Sequence, residues 1–483
     1  MAENRSLQNP HAIVIPYPLQ GHVIPFVHLA IKLATKGFTI TFINTQSVHH
    51  QISKSQAVAG DDIFAEARKS GLDIRYTTVT DGLPLGFDRS LNHDQFMECV
   101  LHVFSAHVDE LVGEIVLRSD PPVTCLIADT FYVWPSTIAE KYKLVNVSFW
   151  TEPALVLTLY YHLDLLRENG HFGTRDNRKD SIDYIPGVEP IKPTDLMSYL
   201  QASDIWTPVH RIIYKAFADV KRADLIICNT VQELEPETIS ALNQKQPFYA
   251  IGPVFPVGFT KSSVATSLWP ESDCTKWLNP RPYGSVLYIS FGSYAHASKH
   301  DIVEIAHGLL LSGVSFVWVL RPDIVSSDDT DFLPVGFEEN TKDRGVIVPW
   351  CCQIDVISHP AVGGFLTHCG WNSIFESVWC SVPLLCFPLL TDQFTNRKLV
   401  VDDWKVGLNL CEERPVTREE VANKINRLMQ GKTSDELRKN TKKMRKTIEE
   451  ALATDGSSER NFNQFMNDVK VKGSKSNGIG TGI

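Results

Sequence analysis

Short runs of residues that are apolar on both faces alternate with longer amphipathic segments along the first half of the chain. The apolar runs cover residues 12–16, 38–43, 124–128, 144–149 and 225–228. A run without polar alternation suits a central strand of a parallel sheet whose two faces are covered by helices. Residues 24–36, between the first two runs, carry apolar side chains at helical spacing. This alternation predicts an α/β fold built on a doubly wound parallel sheet.

The second half of the chain repeats the same pattern. Strands are predicted at residues 285–290, 316–320, 346–348, 364–367 and 384–387, and helices at residues 301–311, 371–378 and 394–401. A chain of 483 residues is long for a single hydrophobic core. We therefore predict two Rossmann-like domains, each with its own parallel sheet.

A change of composition separates the two halves. Residues 249–258 contain two prolines and two glycines, which favour an ordered but non-helical connection. We predict an N-terminal domain over residues 1–250, a linker over residues 251–262 and a C-terminal domain over residues 263–455. A helix over residues 456–472 is expected to pack back on the N-terminal domain, and the Gly/Ser/Lys-rich residues 473–483 to form a flexible tail.

The composition also argues against several classes of protein. The formal net charge of −10 disfavours nucleic-acid binding, which needs a basic surface. The first ten residues are polar, unlike a signal peptide, and no apolar run reaches the roughly 18 residues of a membrane helix. We therefore expect a cytoplasmic protein whose ten cysteines are free thiols.

Several catalytic and cofactor motifs are missing from the sequence. Cys351, Cys352, His368 and Cys369 lack the C-x2–4-C spacing of zinc sites, so no metal is expected. The first predicted strand is followed by residues 17–22, which lack the G-x-G-x-x-G of dinucleotide-binding domains. The G-x-S-x-G elbow of α/β-hydrolases and the P-loop are also missing. These gaps argue against a dehydrogenase, a hydrolase of that fold and a P-loop enzyme.

Residues 350–393 bring together side chains that suit a nucleotide sugar. The predicted strand ending at Thr367 is followed by His368, and Trp371 starts the next helix. A helix N-terminus binds anions through its unpaired N–H groups. We therefore expect His368 and Ser373 to hold a pyrophosphate, and Glu376, one turn deeper, to accept the ribose hydroxyl groups.

The two ends of this segment carry groups for the remaining parts of such a ligand. Trp350 offers a flat face for uracil, and Gln353 offers an amide for the base or the ribose. Asp392 and Gln393 follow the next predicted strand and supply acceptors and donors for sugar hydroxyl groups. The segment thus predicts a site for a base, a ribose, a diphosphate and a sugar.

Residues 350–393 closely resemble the donor-binding box of plant family-1 UDP-dependent glycosyltransferases. The resemblance implies the GT-B architecture, in which two Rossmann-like domains face each other across a cleft, and a UDP-sugar donor. The donor contacts that it implies are Trp350 and Cys351 for uracil, Gln353 and Glu376 for ribose, Ser293, His368, Asn372 and Ser373 for phosphate, and Trp371, Asp392 and Gln393 for the sugar. Family members with Gln at the end of this box generally use UDP-glucose, so Gln393 favours glucose over galactose.

A candidate catalytic pair lies in the first half. His22 follows the first predicted strand, and an imidazole is available as a base near neutral pH. Asp129 ends another buried strand, and parallel strand ends open onto the same edge, so its carboxylate is placed to orient His22. Gly21-His22 followed by Pro25 resembles the catalytic turn of the same family, and the context of Asp129 resembles that of the partner aspartate. Thr151 resembles a residue that contacts the sugar from the N-terminal domain.

The predicted function is therefore inverting transfer of glucose from UDP-glucose to a hydroxyl or carboxyl group of a lipophilic plant small molecule. The acceptor is expected to be a flavonoid, terpenoid or phenolic compound, and the product a β-glucoside. Apolar residues that are expected to line the acceptor pocket are Leu83, Phe87, Leu196, Met197, Leu200 and Trp206. We expect a monomer that needs no metal or other cofactor. A nucleotide-sugar sensor without turnover, and the same enzyme with UDP-galactose or UDP-xylose, remain alternatives.

Overall fold

The computed structural model describes residues 9–55, 62–174, 176–256, 259, 267–325 and 332–478. The chain divides into two compact units. The first comprises Met1–Ile191, Ala202–Leu268 and Glu450–Ile483, and the second comprises Lys192–Gln201 and Trp269–Glu449. Most of the predicted linker beyond residue 256, and the predicted tail from residue 479, lie outside the described residues.

The first unit is built on a parallel sheet that has seven strands within the described residues. They are β1 (His11–Ile15), β2 (Thr39–Thr45), β3 (Ile74–Val79), β4 (Val123–Asp129), β5 (Val145–Trp150), β6 (Leu225–Cys228) and β7 (Phe248–Ala250). Their order in the sheet is β3-β2-β1-β4-β5-β6-β7. The chain reverses its direction of travel across the sheet between β1 and β4, which makes this pair the topological switch point. Ile15 pairs with Ala128, so the two carboxyl ends lie side by side.

The second unit repeats this design with six parallel strands within the described residues. They are β8 (Val286–Ser290), β9 (Ser315–Val319), β10 (Gly345–Val348), β11 (Val362–Thr367), β12 (Leu384–Cys386) and β13 (Gly407–Asn409). Their order is β10-β9-β8-β11-β12-β13, which places the switch point between β8 and β11. Thr367 pairs with Ser290, so these two strands also end at the same level.

Helices occupy most of the connections between the strands. In chain order they are α1 (Gln20–Thr35), α2 (Gln46–Ser55), α3 (Ala65–Lys69), α4 (His93–His102), α5 (Phe104–Arg118), α6 (Pro135–Tyr142), α7 (Ala154–Tyr161), α8 (Leu163–Glu168), α9 (Ser198–Gln201), α10 (Pro208–Asp219), α11 (Pro236–Asn243), α12 (Thr275–Leu278), α13 (Lys299–Ser312), α14 (Phe337–Thr341), α15 (Gln353–Ile357), α16 (Trp371–Trp379), α17 (Gln393–Lys398), α18 (Arg418–Met429), α19 (Gly431–Leu452) and α20 (Ser457–Gly478). Short 3-10 turns cover Pro193–Asp195, Val220–Arg222 and Gln232–Leu234, and a π-helical turn covers Leu399–Asp403. None of the helices in the described part of the chain is both long enough and apolar enough to cross a membrane.

Apolar side chains cover both faces of the first sheet. In β1, Ala12 and Val14 join one cluster, while Ile13 and Ile15 join a second cluster on the opposite face. The first cluster also contains side chains of α1 and α20, and the second contains side chains of α4 and α5. In the second unit, β8 and β9 pack against α13 and α18 in one cluster that includes the fully buried Trp318. Each fully buried large apolar side chain stabilises the fold by about 1.5–3 kcal/mol relative to exposure.

The doubly wound α/β fold predicted from the sequence is confirmed, and each predicted strand lies at an observed one. The strands that the sequence pattern missed are β3, β7 and β13, which are all at sheet edges. Edge strands are half exposed, so β3 mixes polar and apolar residues, while β7 and β13 have only three residues each. The helix at the C-terminus also extends further than predicted, because α20 continues to Gly478 through part of the expected tail.

Candidate active site

His22 and Asp129 meet at the switch point of the first sheet. His22 lies in the first turn of α1, shortly after β1, and Asp129 is the last residue of β4. The imidazole Nδ1 of His22 lies 2.8 Å from Oδ2 of Asp129. The carboxylate is buried, and the histidine side chain retains 12% of its accessible surface. Two residues that are 107 positions apart in the sequence are therefore joined by one short polar contact at the carboxyl ends of β1 and β4.

The surroundings of this pair select one tautomer of His22. A carboxylate only accepts hydrogen bonds, so the hydrogen of the imidazole lies on Nδ1 and Nε2 carries the lone pair. The second carboxylate oxygen of Asp129 accepts the backbone N–H of Phe131 at 3.0 Å, which fixes the plane of the carboxylate. The rings of Tyr17 and Phe131 lie 5.5 Å and 5.8 Å from the imidazole. Nε2 is thus held as a proton acceptor in a defined orientation.

Thr151 belongs to this group as well. Its hydroxyl oxygen lies 3.1 Å from Nδ1 of His22, on the same side of the ring as Asp129. The loop that carries Thr151 leads into α7, where the buried carboxylate of Glu235 accepts the backbone N–H groups of Ala154 and Leu155 at 3.0 Å and 2.7 Å. A carboxylate at a helix N-terminus is favourable for both charge and hydrogen bonding. Glu235 therefore anchors the loop that positions Thr151.

In the second unit, the turns after β8 and β11 close around His368. Ser293 lies in the turn after β8, and His368 follows β11 directly before α16. An added Cβ at Gly292 or Gly370 would approach Nε2 of His368 to 2.5 Å, so the backbone on both sides closes on the ring. Gly292 also has a φ of +73°, which a residue with a side chain rarely adopts. These glycines let the imidazole sit between two backbone turns beside the N-terminus of α16.

The imidazole of His368 is held in its neutral form. Burial, together with the smaller effect of the nearby positive charge of Arg321, lowers the pKa of His368 to about 4. The guanidinium of Arg321, which is 1% exposed, donates to the carbonyl oxygens of Gly292 and Ala295 and pairs with Asp323 at 2.9 Å. Arg321 thereby fixes the turn that carries Ser293. A neutral His368 acts toward an anion as a hydrogen-bond donor rather than as a charge.

Gln353, Ser373 and Glu376 form a second polar group beside α16. Nε2 of Gln353 donates to the hydroxyl of Ser373 at 2.9 Å and to the carboxylate of Glu376 at 2.7 Å. Burial raises the pKa of Glu376 to about 7, and the hydrogen bond from Gln353 opposes this shift. Trp350 and Cys351 lie just before α15, which begins with Gln353. The sequence-predicted base, ribose and phosphate residues thus lie on α15, on α16 and in the adjoining turns.

The turn between β12 and α17 holds Asp392 and Gln393. The side-chain oxygen of Gln393 accepts the backbone N–H groups of Leu389 and Leu390, both at 2.9 Å. The carboxylate of Asp392 accepts hydrogen bonds from the hydroxyl of Thr391 at 2.6 Å and from the amide of Asn396. The other side-chain group of Gln393, the Nε2 amide, is a hydrogen-bond donor, which suits a hydroxyl oxygen.

Trp371 and Asn372 occupy the first turn of α16. The ring of Trp371 is buried against Phe375 and Trp404, with ring centroids 4.6 Å and 5.8 Å apart. The indole is therefore part of an aromatic cluster within the second unit, and its predicted contact with the sugar stays a prediction. Among the residues that the structure describes, no group of three or more His, Cys, Asp or Glu side chains is arranged to hold a metal ion.

Comparisons with known proteins identify the family of this chain. A family model described as UDP-glucoronosyl and UDP-glucosyl transferase matches residues 249–445. UDP-glycosyltransferase 86A1 from Arabidopsis thaliana is 67% identical over 473 residues, which cover 97% of this chain and 96% of that protein. The chain belongs to this family of UDP-glycosyltransferases. It is also similar to 7-deoxyloganetin glucosyltransferase from Gardenia jasminoides, with 36% identity over 93% of this chain and 95% of that protein.

Solved structures lead to the same conclusion for the fold of this UDP-glycosyltransferase. The structure of Phytolacca americana UGT2 in complex with UDP-2fluoro-glucose and pterostilbene has a TM-score of 0.78 and 27% sequence identity. The match covers 95% of this chain and 99% of that chain. This likeness confirms the GT-B fold class that the sequence predicted.

The structure of the transferase differs from the predicted acceptor lining at one segment. Leu196, Met197 and Leu200 are fully buried, and they lie in the segment Lys192–Gln201 that belongs to the second unit. Trp206, which follows in the first unit, is 74% exposed. Local sequence could not distinguish these environments, because an apolar residue in a loop suits a binding pocket and a buried contact equally well.

Two further residues of the transferase were missed because their roles depend on partners far away in the sequence. Arg321 holds the backbone at Gly292, 29 residues before it, and Glu235 holds the start of α7, about 80 residues before it. A buried charged residue is unusual and needs a partner. In the sequence, however, each looks like an ordinary surface charge at the end of a strand or in a turn.

Proposed function

We propose that this transferase moves glucose from UDP-glucose to a hydroxyl or carboxyl group of a lipophilic plant small molecule, with inversion at the anomeric carbon. The observation that carries the proposal is the 2.8 Å contact between Nδ1 of His22 and Asp129, which leaves Nε2 as a base. The name of the Gardenia relative supports glucose, and the bound pterostilbene of the Phytolacca enzyme supports a lipophilic acceptor.

In the proposed reaction, Nε2 of His22 takes the proton of the acceptor O–H group. The freed electron pair on oxygen forms a bond to the anomeric carbon, while the bond from that carbon to the diphosphate oxygen breaks. UDP leaves with this electron pair, and attack from the opposite side converts an α-linked donor into a β-glucoside. Asp129 stabilises the imidazolium, because its carboxylate remains ionised next to the protonated ring. General-base catalysis of this kind contributes roughly 10²–10⁴-fold in rate.

The second unit is proposed to hold the donor and to meet the charge that develops on the departing diphosphate. The N-terminus of α16 offers backbone N–H groups, and His368 and Ser293 offer side-chain donors. These groups supply the positive potential that a divalent cation supplies in other phosphate sites, so we propose metal-independent transfer. Trp350 would stack on uracil, Gln353 and Glu376 would hold the ribose, and Asp392 and Gln393 would bind the glucose hydroxyl groups.

A loop of the first unit supports the proposal of an apolar acceptor. Leu83 and Phe87 are half-buried in the segment between Asp81 and Arg89. The guanidinium of Arg89 donates to both carboxylate oxygens of Asp81, at 2.7 Å and 2.9 Å, and Asp81 is 2% exposed. A bidentate, buried pair of this kind holds its loop in one conformation. Two apolar side chains are thereby presented from a rigid loop, which suits a planar lipophilic ligand.

The test of the proposal is product analysis by mass spectrometry. Wild-type protein is incubated with UDP-glucose and a pool of flavonoids, terpenoids and phenolic acids, in the presence and absence of EDTA. The expected result is an acceptor whose mass rises by one hexose, with the same yield under both conditions, and a β linkage shown by NMR. An α linkage would refute inversion, and loss of product in EDTA would refute metal independence. Binding of UDP-glucose without any transfer to the pool would favour the non-catalytic sensor instead.

The pH dependence of donor binding tests the role proposed for Glu376. Only the ionised carboxylate accepts both ribose hydroxyl groups, and burial raises its pKa to about 7. The ionised fraction therefore falls between pH 8 and pH 6, and the Kd of UDP-glucose is expected to rise about tenfold over this range. His368 stays neutral throughout, because burial lowers its pKa to about 4.

The measurement is calorimetric titration with UDP-glucose in the absence of acceptor. Glu376→Gln is the matched variant, since glutamine keeps the shape of the side chain and has no charge to titrate. It is expected to bind more weakly at pH 8 and to show a flat profile. A wild-type Kd that does not change between pH 6 and pH 8 would contradict the proposed ribose contact.

A further inference from the structure

The segment Lys192–Gln201 leaves the first unit and packs as part of the second unit. Residues before and after it belong to the first unit, but the segment itself belongs to the second unit. It consists of the 3-10 turn Pro193–Asp195 followed by α9. Nothing in the proposed chemistry of UDP-glucose transfer uses this segment. Its contacts, however, converge on the turn that carries Asp392 and Gln393.

Ser198 holds both backbone groups of Thr391. The hydroxyl oxygen of Ser198 accepts the N–H of Thr391 at 2.8 Å, and the N–H of Ser198 donates to the carbonyl oxygen of Thr391 at 3.0 Å. Thr391 has a φ of +55°, in the left-handed region that β-branched residues rarely adopt. A strained residue of this kind persists only where its surroundings hold it. The two hydrogen bonds from Ser198 provide that restraint immediately before Asp392.

Asp195 anchors the same segment to the first turns of α17. Its carboxylate forms an ion pair with Arg397, and the two side chains are only 7% and 17% exposed. Its carbonyl oxygen accepts the hydroxyl of Thr395 at 2.7 Å. Thr395 also lies 3.4 Å from the sulfur of Met197. The segment is therefore attached to α17 at one end and to Thr391 at the other, with Asp392 and Gln393 between these attachments.

We propose that Ser198 is a positioning residue for the donor sugar, because it fixes the backbone from which Asp392 and Gln393 reach the hexose. This inference rests on the proposed function in one respect, that a hexose contacts this turn. Thr391 also donates its hydroxyl to Asp392 at 2.6 Å, so a change in the Thr391 backbone moves the carboxylate directly. The proposed uracil, ribose and phosphate contacts lie on α15, on α16 and in the turns after β8, β10 and β11, and none of these segments contains Thr391.

The substitution Ser198→Ala removes the acceptor of the Thr391 N–H, which is one of the two hydrogen bonds that hold its left-handed conformation, and so loosens this turn. The hexose contacts are then lost or misplaced, while those to the nucleotide are unchanged. We expect the KM for UDP-glucose to rise about tenfold, which corresponds to the loss of one well-formed hydrogen-bonded contact. The inhibition constant of UDP, which has no hexose, is expected to stay within about twofold. The ratio of kcat/KM for UDP-glucose to kcat/KM for UDP-galactose is expected to fall by a similar factor.

Steady-state kinetics of four proteins test this inference. Ser198→Thr keeps the hydroxyl and is expected to restore the wild-type KM. Thr417→Ala is the matched control, because it removes another hydroxyl of the second unit that accepts a backbone N–H, at the start of α18. It is expected to leave both constants unchanged. Equal weakening of UDP and UDP-glucose by Ser198→Ala, or no weakening of either, would overturn the proposal.

Kinetics with other donors distinguish a failure of this inference from a failure of the proposed function. A wild-type enzyme that turns over UDP-galactose or UDP-xylose, and not UDP-glucose, refutes glucose as the sugar. The comparison of KM for that donor with the inhibition constant of UDP then decides the role of Ser198 independently. A selective rise in KM would support the positioning role, and a change shared by both constants would refute it.

Discussion

Replacing His22 with alanine is expected to lower kcat for glucosyl transfer by roughly 10²–10⁴-fold, the contribution of a positioned general base. This loss corresponds to about 3–5 kcal/mol of transition-state stabilisation. Nδ1 of His22 contacts Asp129 at 2.8 Å, and this contact leaves Nε2 as the proton acceptor. An alanine side chain supplies no replacement, so the acceptor hydroxyl must lose its proton to water.

Single-turnover kinetics with saturating UDP-glucose and acceptor would measure the chemical step itself. His49→Ala is a suitable control, because it removes a half-buried histidine of the same unit whose Nδ1 contacts Tyr76 at 3.1 Å. We expect this control to retain most of the activity. Calorimetry should give the same Kd of UDP-glucose for His22→Ala and wild type. A variant lacking His22 that keeps more than about a tenth of the rate would rule out the base assignment.

The fold could be predicted from the sequence because the central strands carry a clear local signal. β1, β4 and β8 are buried on both faces, so their residues are almost wholly apolar and stand out from the amphipathic helices. β3 carries a weaker signal because it lies at an edge and four of its six residues are half-buried. The pattern of burial therefore determines which strands a sequence reveals.

The contact between His22 and Asp129 could be predicted from topology, while the roles of the donor residues came from the resemblance of residues 350–393 to a known family. His22 and Asp129 were predicted to meet because both follow buried strands, and the sheet order places those strands side by side. The contact of Ser198 with Thr391 had no such signal. It joins residues 193 positions apart, and Ser198 begins the one-turn helix α9, which local pattern assigns to no particular partner. Such contacts depend on how loops pack, which the periodicity of a sequence does not encode.

Changing Asp129 to asparagine is expected to reduce kcat about as strongly as losing the base, by roughly 10²–10⁴-fold. Asparagine has nearly the same shape and can still accept the N–H of Phe131, which Asp129 accepts at 3.0 Å. Its amide N–H₂, however, would donate to Nδ1 of His22. The imidazole hydrogen would then move to Nε2, and the nitrogen that is proposed to take the acceptor's proton would no longer accept it. The variant also lacks the negative charge that stabilises the imidazolium.

The control for this variant is Asp219→Asn, which neutralises another buried carboxylate of the first unit. Asp219 accepts hydrogen bonds from the N–H and the hydroxyl of Ser136. Its replacement therefore shows how much stability is lost when a buried, hydrogen-bonded carboxylate that does not contact His22 is neutralised. Both variants are compared by thermal unfolding and by single-turnover rate. We expect similar changes in Tm and a large loss of rate only for Asp129→Asn. A rate for Asp129→Asn within about tenfold of wild type would mean that His22 does not depend on this carboxylate for its tautomer.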